Sequence, residues 1–290
     1  MYRIELGMKC RFAEKWYEQC LNFELITDGR FFAPSQPQEG IMGFDAAMFT
    51  NNPIFRGLFN TPQQIDHGIV IDPSFWENGR NLNPRELPRL KYNLFIQHKR
   101  PEYIKSPRGL EYPDWNNPYF RYDIDLDQQS ALSNLERRVH DYSLVVYACP
   151  AFWTVEEFTQ YYADGELIKN SNFVSASELE GHDRYSFTAG GTDGRVHSKS
   201  KIVDIVDIKK EIKRLSEMRP KFEDNKKFIK ALANAVSDTI NEMEGSVHEN
   251  FYTLLSRFKQ SERNEIENSL ATIFSFLLIS NSSLLIGYGK

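Results

Sequence analysis

The sequence predicts an α/β protein with a mixed central sheet flanked by helices, followed by a helical C-terminal region. The run Tyr142–Phe152 is almost continuously apolar, as is typical of a strand that is covered on both faces. The aromatic and β-branched stretch Tyr92–Ile96 predicts a second strand of the sheet core. Between them, Asp127–Val139 has helical periodicity with Leu132 and Leu135 on its inner face. This strand–helix–strand order defines the α/β class.

The composition is that of a globular chain. Its 290 residues are 41% apolar and 13% aromatic, which is enough for a sizeable core and a second, smaller unit. The three cysteines (Cys10, Cys20 and Cys149) have no paired spacing and predict reduced thiols, and the N-terminus lacks the apolar run of a signal peptide. We therefore expect a cytoplasmic protein. The net charge of −5 excludes a uniformly basic surface but not a local basic cleft.

Residues 9–25 predict an amphipathic helix. The apolar residues at helical spacing, which we expect to face the core, are Phe12, Trp16, Cys20 and Phe23. Glu14 and Glu18 lie four residues apart and share a face. Two interpretations stay open for this pair: a solvated acidic face, or a carboxylate that points into a site. Glu14, nearer the start of the helix, is the candidate for the second.

The stretch Ile41–Phe49 predicts another strand, and its only charge is Asp45. A lone carboxylate in a buried strand is costly unless it is paired, hydrogen-bonded or bound to a cation. Asp45 is therefore a candidate metal ligand, and the alternative is a turn or cap aspartate beside Gly43. The loop-rich residues 51–90 predict an insertion between two core strands.

Polar residues follow the predicted strand Tyr92–Ile96 directly: Gln97, His98, Lys99 and Arg100. Side chains alternate along a strand, so Gln97 and Lys99 share a face and His98 points to the other one. An amide oxygen beside an ammonium group has two interpretations. Either an edge strand runs into solvent here, or the pair belongs to a site for a metal ion and a phosphate.

Two further regions carry basic residues. Gly181–Ser200 predicts a hairpin with several donors suited to phosphate, among them Arg184 and Lys199. Lys199–Lys230 holds 11 Lys and Arg against 6 Asp and Glu, a local net charge of 11 − 6 = +5. The apolar end Ile266–Tyr288 is interrupted by serines, and it predicts a buried helix, or a helix and then a strand, rather than a membrane span.

The motifs of several enzyme classes are missing from the sequence. There is no phosphate-binding P-loop, no dinucleotide fingerprint and no Gly-x-Ser-x-Gly elbow. A serine or cysteine hydrolase is therefore disfavoured.

The predicted elements come in a definite order: a helix with Glu14, a strand with Asp45, a strand with Gln97-x-Lys99, a helix and a buried strand. This order resembles the PD-(D/E)XK nuclease superfamily. The variant resembled has Gln in place of the last carboxylate. The resemblance covers about residues 8–165 and implies the restriction-endonuclease-like fold. We expect a nuclease-like domain over 1–200, with the insertion around 51–90, and a helical domain over 201–290.

The resemblance implies a metal-dependent endonuclease that hydrolyses DNA with Mg²⁺ or Mn²⁺, of the kind used in restriction and antiviral (phage) defence. Asp45, Gln97 and the backbone carbonyl of His98 would bind the metal, and Glu14 would do so through a water molecule. Lys99 would position or activate the attacking water. The substrate-phosphate contacts expected on this basis are Arg100, Arg184 and Lys199.

Two departures from the family pattern leave alternatives open. The interval between Asp45 and Gln97 is long, so Asp72 is the substitute if Asp45 is not the ligand. Gln97 lowers the negative charge at the metal, which allows an inactive nuclease-fold protein that binds nucleic acid or a partner protein. An unrelated α/β interaction protein is a third hypothesis. For an active nuclease we expect control by a regulatory partner such as an ATPase, and a homo-oligomer is compatible with the sequence.

Overall fold

The structure is a computed structural model that describes residues 7–28, 31–32, 37–38, 43–44, 89–197, 200–258 and 265–289. Its strands are β1 (Gly7–Lys9), β2 (Phe31–Phe32), β3 (Pro37–Gln38), β4 (Gly43–Phe44), β5 (Arg89–His98), β6 (Glu102–Ile104), β7 (Tyr119–Asp123), β8 (Ser143–Pro150), β9 (Ser171–Ser175), β10 (Arg184–Phe187), β11 (Gly194–His197), β12 (Lys201–Val203) and β13 (Ser283–Gly289). Its α-helices are α1 (Glu14–Asp28), α2 (Tyr112–Trp115), α3 (Leu126–Val139), α4 (Val155–Asp164), α5 (Ile208–Glu217), α6 (Asn225–Asn241), α7 (Ser246–Phe258) and α8 (Glu265–Ser280). The predicted α/β class is confirmed.

The strand that carries Gln97 lies in the middle of a five-stranded sheet with the order β2-β13-β5-β8-β9. β5 and β8 are parallel, with Gln97 opposite Tyr147, and α3 forms the crossover between them. β13 is antiparallel to β5 on its other side, so the sheet is mixed, as the sequence predicts. A second, six-stranded sheet with the order β1-β6-β7-β10-β11-β12 is antiparallel throughout its described pairs.

Local sequence signals account for several of these elements. The apolar run predicted over Tyr142–Phe152 forms β8, which lies between β5 and β9. Val146 and Ala148 of this strand are fully buried. Helix α4 begins with the capping box that its sequence predicts, since Thr154 and Glu157 bond to each other's backbone N–H groups. Strands β10 and β11 form the expected antiparallel hairpin.

The inner face predicted for the first helix is wrong at Trp16 and Phe23, whereas the predicted Phe12, which precedes α1, is buried. Trp16 is 54% exposed and Phe23 is 47% exposed, whereas Tyr17, Leu21 and Leu25 are buried. The buried residues recur every four positions, and they form the stripe next to the one that the sequence analysis selected. Tyr17 anchors the true face, because its hydroxyl donates to Oγ of Ser171 at 2.8 Å.

The C-terminal part of the chain completes the sheet around β5. Helix α8 ends at Ser280, and β13 then pairs with β5 from Ser283 opposite Ile96 onward, so the helix-and-strand alternative is correct. Phe276 of α8 packs edge-to-face on Phe95 of β5, with the ring centroids 6.3 Å apart. The division into domains near residue 200 stays a prediction.

The strand predicted around Asp45 is described only at Gly43–Phe44, where β4 pairs with β3. Within the described ranges, the hydrogen-bonded neighbours of β5 are β13 and β8. Asp45 and Asp72 lie outside the described residues, as does nearly all of the predicted insertion over 51–90. None of the helices in the described ranges is both long enough and apolar enough to cross a membrane.

Candidate active site

The polar residues at the end of β5 are held in place by the strand that precedes them. Leu94, Phe95 and Ile96 are fully buried, and Gln97 follows them with no exposed surface. The backbone N–H of Lys99 donates to the carbonyl oxygen of Ala148 on β8 at 2.8 Å, so the parallel pairing continues to Lys99. Alternation along β5 then places the side chains of Gln97 and Lys99 on one face of the sheet.

The side chain of Gln97 has one satisfied end and one unsatisfied end. Its Nε2 donates to Oε1 of Gln128 at 2.6 Å, whereas its own Oε1 is buried and has no hydrogen-bond partner among the residues that the structure describes. Gln128 lies in the first turn of α3, and its backbone N–H donates to the capping carboxylate of Asp125 at 3.0 Å. The start of α3 therefore determines which end of the Gln97 amide stays unpaired. A buried acceptor without a donor is costly, and a bound cation would relieve that cost.

Lys99 is the cationic group of the site. Burial lowers its pKa below the ordinary value, and the carboxylates of Glu14, Asp125 and Asp123 act in the opposite direction. Its ammonium nitrogen lies 5.6 Å from the ring centroid of Tyr147, over the face of the ring. One partly desolvated ammonium group thus lies within electrostatic range of three carboxylates, those of Glu14, Asp123 and Asp125.

Glu14 approaches Lys99 from the start of α1. Burial raises the pKa of Glu14, the charge of Lys99 lowers it, and the nearby Glu18 raises it again. The side chain of Asn281, a residue with a left-handed φ of 47° between α8 and β13, also lowers the pKa of Glu14. The charges of Glu14 and Lys99 therefore act on each other, whereas the role of Glu14 in a site stays a prediction.

His98 points to the opposite face, as alternation predicts. Its ring lies edge-to-face on Tyr17 with the centroids 5.8 Å apart, and within the described part of the chain neither ring nitrogen has a hydrogen-bond partner. Burial lowers the pKa of His98 to about 4, against the raising effect of Glu18. This imidazole is therefore neutral at neutral pH and belongs to the core.

The two described arginines of the predicted substrate contacts already have protein partners. Arg100 donates from Nη2 to the backbone carbonyl of Cys10. Arg184 donates to Oε1 of Glu111 at 2.6 Å and to Oδ1 of Asp123 at 3.2 Å. Their contact with substrate stays a prediction, and Lys199 lies outside the described residues.

Asp123 and Asp125, whose charges act on Lys99, were not predicted from the sequence. The signal was available, because Asp123-Ile-Asp125 comes just before the predicted helix, where a capping aspartate is common. Gln128 was missed for a different reason. Its contact with Gln97 joins segments that no local pattern connects.

Some of the metal ligands that the resemblance implies lie among the described residues. Among them, no three His, Cys, Asp or Glu side chains lie close enough together to bind a metal ion. The unpaired Oε1 of Gln97 and the carboxylate of Glu14 are nonetheless oxygen donors of the type that Mg²⁺ prefers. These residues fit such an ion, with the rest of the set expected from Asp45.

Comparisons of the chain with protein-family models, with curated proteins and with solved structures found no match. The residues at the end of β5 are therefore the basis on which a function can be proposed.

Proposed function

We propose that the chain is a metal-dependent endonuclease that hydrolyses phosphodiester bonds in DNA, with a restriction-endonuclease-like fold. The parallel β5–α3–β8 unit supports this proposal, because Gln97 and Lys99 lie at its carboxyl end with Glu14 nearby. One observation carries the argument: the unpaired, buried Oε1 of Gln97 lies two residues from a partly desolvated ammonium group. This combination suits a cation beside a phosphate.

Each residue has a stated role in this proposal. Mg²⁺ or Mn²⁺ would be held by Oε1 of Gln97, by Asp45 and by the carbonyl of His98, and by Glu14 through a water molecule. The ion would supply Lewis acidity and neutralise charge on the phosphate. Lys99 orients the attacking water and stabilises the negative charge that develops on the phosphate oxygens. The raised pKa of Glu14 makes this carboxylate a better proton acceptor near neutral pH than an exposed glutamate.

The wider context of the proposal follows from the same activity. DNA is the substrate, the compartment is the cytoplasm, and the biological role is restriction or antiviral defence. Because an uncontrolled nuclease would damage the DNA of its own cell, a regulatory partner such as an ATPase would restrain it. A purified chain that cuts DNA freely without any partner would contradict that last point.

The test is cleavage of plasmid and linear DNA by the purified protein with Mg²⁺, Mn²⁺ or EDTA. Asp45→Ala and Lys99→Ala should abolish metal-dependent cutting while the far-UV circular dichroism spectrum stays unchanged. Lys105→Ala is the matched control, since Lys105 is an exposed lysine after β6 and should leave cutting intact. Cutting that survives both site variants would contradict the assignment, and Asp72→Ala would then be tested.

A second candidate is an inactive protein of the same fold that binds nucleic acid or a partner protein. The observation that favours it is that Gln97 is neutral and has no exposed surface. A neutral ligand attracts a divalent cation less strongly than a carboxylate does. Tight DNA binding without cleavage, unchanged by EDTA, would support this candidate over the nuclease.

A further inference from the structure

A cleft of about 610 Å³ opens at the opposite end of β5 from Lys99. Lys91, near the start of β5, contributes to it, and the eight residues from Lys91 to Lys99 span roughly 25 Å of extended chain. The cleft is therefore separate from the candidate active site. Its volume lies in the range of pockets that bind small molecules.

The rim of the cleft is basic. Lys91, Arg214, Arg219 and Lys221 line it together with a single carboxylate, Asp141, which gives 4 − 1 = +3 formal charges. Counting Glu211, which pairs with Arg214 at 2.7 Å, the local charge is still +2. The whole chain carries −5, so this positive charge is local. Such a site raises the local concentration of anions.

Two of the cations are held in place by contacts on the cleft wall. Nζ of Lys91 donates to the backbone carbonyl of Ser216 at 2.6 Å, at the C-terminal end of α5. Nζ of Lys221 lies 2.7 Å from Asp141 and 5.0 Å from the ring centroid of Tyr142. These contacts reduce the entropy that would be lost when the two lysines bind an anion.

Arg219 differs from the other three cations. It is exposed, and no hydrogen bond or ion pair to another described residue is present. A guanidinium group is suited to bidentate contact with a phosphate or carboxylate. The floor between these charges is apolar, with Leu215, Met218 and Pro220. An inorganic anion would leave that floor without contacts, whereas an organic anion would cover it.

We propose that this cleft binds a small phosphate ester with an aromatic or apolar body, of about the size of a mononucleotide. The phosphate contacts Arg219 and Lys221, and the body packs on Met218 and Pro220, which are exposed in the cleft. The inference is independent of the proposed nuclease, because none of these residues lies at the end of β5 that carries Gln97 and Lys99.

The test is isothermal titration calorimetry of the full chain with AMP and with phenyl phosphate, up to about 5 mM ligand, which covers weak specific binding. Adenosine and inorganic phosphate are the control ligands, since each has only one half of the recognised chemistry. We expect saturable binding of at least one ester, with both control ligands about tenfold weaker or worse. Arg219→Glu and Lys221→Glu should each raise the Kd about tenfold or more, because each loses a charge-assisted contact.

Lys213→Glu is the matched control, because it makes the same charge change at an exposed position of α5 outside the cleft. It should change the Kd by no more than about twofold, since exposed charges are screened. Failure of both esters to bind would overturn the proposal. An equal loss of ester affinity in Lys213→Glu and Arg219→Glu would overturn it too. Duplex DNA binding that is weakened by Arg219→Glu, without ester binding, would assign the cleft to nucleic acid instead.

Discussion

The side chain of Gln97 donates a 2.6 Å hydrogen bond to Gln128, and this contact leaves Oε1 of Gln97 buried and unpaired. Gln128 is thus a positioning residue for the candidate metal ligand. It is itself fixed by the first turn of α3, which Asp125 caps. Partners that orient a ligand in this way commonly affect metal affinity by about 10- to 100-fold.

We predict that Gln128→Leu weakens Mn²⁺ binding by about tenfold, because Gln97 loses the acceptor that fixes its amide. Gln128→Glu keeps an acceptor for Nε2 of Gln97 and should bind Mn²⁺ at least as tightly as the wild type. Calorimetric titration with Mn²⁺ in the absence of DNA measures both affinities. Equal Mn²⁺ affinity in the leucine variant and the wild type would remove Gln128 from the site.

We predict that Lys99→Met lowers the rate of metal-dependent cleavage by about 100-fold or more, since it removes the charge that stabilises the transition state. Its effect on stability should depend on pH. Burial lowers the pKa of Lys99 in the folded state, so the charged form destabilises the fold. That penalty is fully present below the lowered pKa, and it disappears as pH rises towards the unfolded value of about 10.5.

Urea unfolding of the wild type and Lys99→Met between pH 7 and pH 10.5 tests this sign. The free energy of unfolding of the methionine variant should exceed that of the wild type most at the lower pH, and the difference should shrink as pH rises. Lys105→Met provides the comparison at an exposed lysine. A difference that stays constant over this range would show that the fold does not disfavour the charge on Lys99.

Local patterns predicted the elements that carry the site but not all of its neighbours. The apolar run of β8 and the capping box of α4 depend on residues a few positions apart, and the structure has both elements. The alternation of Gln97 and His98 on β5 is equally local and is also present. Such features follow from backbone geometry alone.

The remaining features depend on tertiary packing. The C-terminal strand β13 pairs with β5, and its Ser283 donates from Oγ to Glu18 of α1 at 2.9 Å, although these partners are far apart in the sequence. The inner face of α1 was misassigned because two adjacent stripes of this helix are apolar. Tyr17 determines which stripe faces the core, because its hydroxyl donates a hydrogen bond to Ser171, which is distant in the sequence.

We predict that His98→Phe removes an acid sensitivity of the fold. The folded pKa is about 4, whereas the unfolded chain takes up this proton near pH 6.5. Protonation of the unfolded state therefore costs the wild type up to about 3 kcal/mol of stability as pH falls from 6.5 to 4. Phenylalanine cannot take up a proton and can keep the edge-to-face contact with Tyr17.

The measurement is the free energy of unfolding between pH 7.5 and pH 4 for the wild type and His98→Phe. His140→Gln changes an exposed histidine and serves as the control. The wild type and this control should lose stability together, whereas the phenylalanine variant should lose distinctly less. A parallel decline in all three proteins would mean that His98 is protonated in the fold.

We predict that Arg184 stabilises the six-stranded sheet through Glu111. Glu111 is 2% exposed and accepts from Arg184 at 2.6 Å and from the Tyr119 hydroxyl at 2.6 Å. Removing one partner of a buried ion pair commonly costs about 3 kcal/mol or more, because the other charge stays buried. Arg121, whose Nη1 lies 3.4 Å from Oε2 of Glu111, stays as a second cation, so Arg184→Met should lower the free energy of unfolding by about 2 kcal/mol. Adding Glu111→Gln should recover part of this loss.

The pH dependence has the same sign as that of His98, because the folded pKa of each group lies below its unfolded value and the wild type loses stability as pH falls. Burial raises the pKa of Glu111, but the hydrogen bonds from Tyr119 and Arg184 outweigh it and leave the pKa below its ordinary value. The stabilisation is then present above about pH 4.5 and is lost as pH falls through the lowered pKa, so Glu111→Gln should unfold less steeply in acid. Urea unfolding of the two single variants and the double variant measures the coupling. If Arg184→Met keeps the stability of the wild type but binds DNA more weakly, Arg184 contacts substrate, as the sequence predicts, rather than serving the sheet.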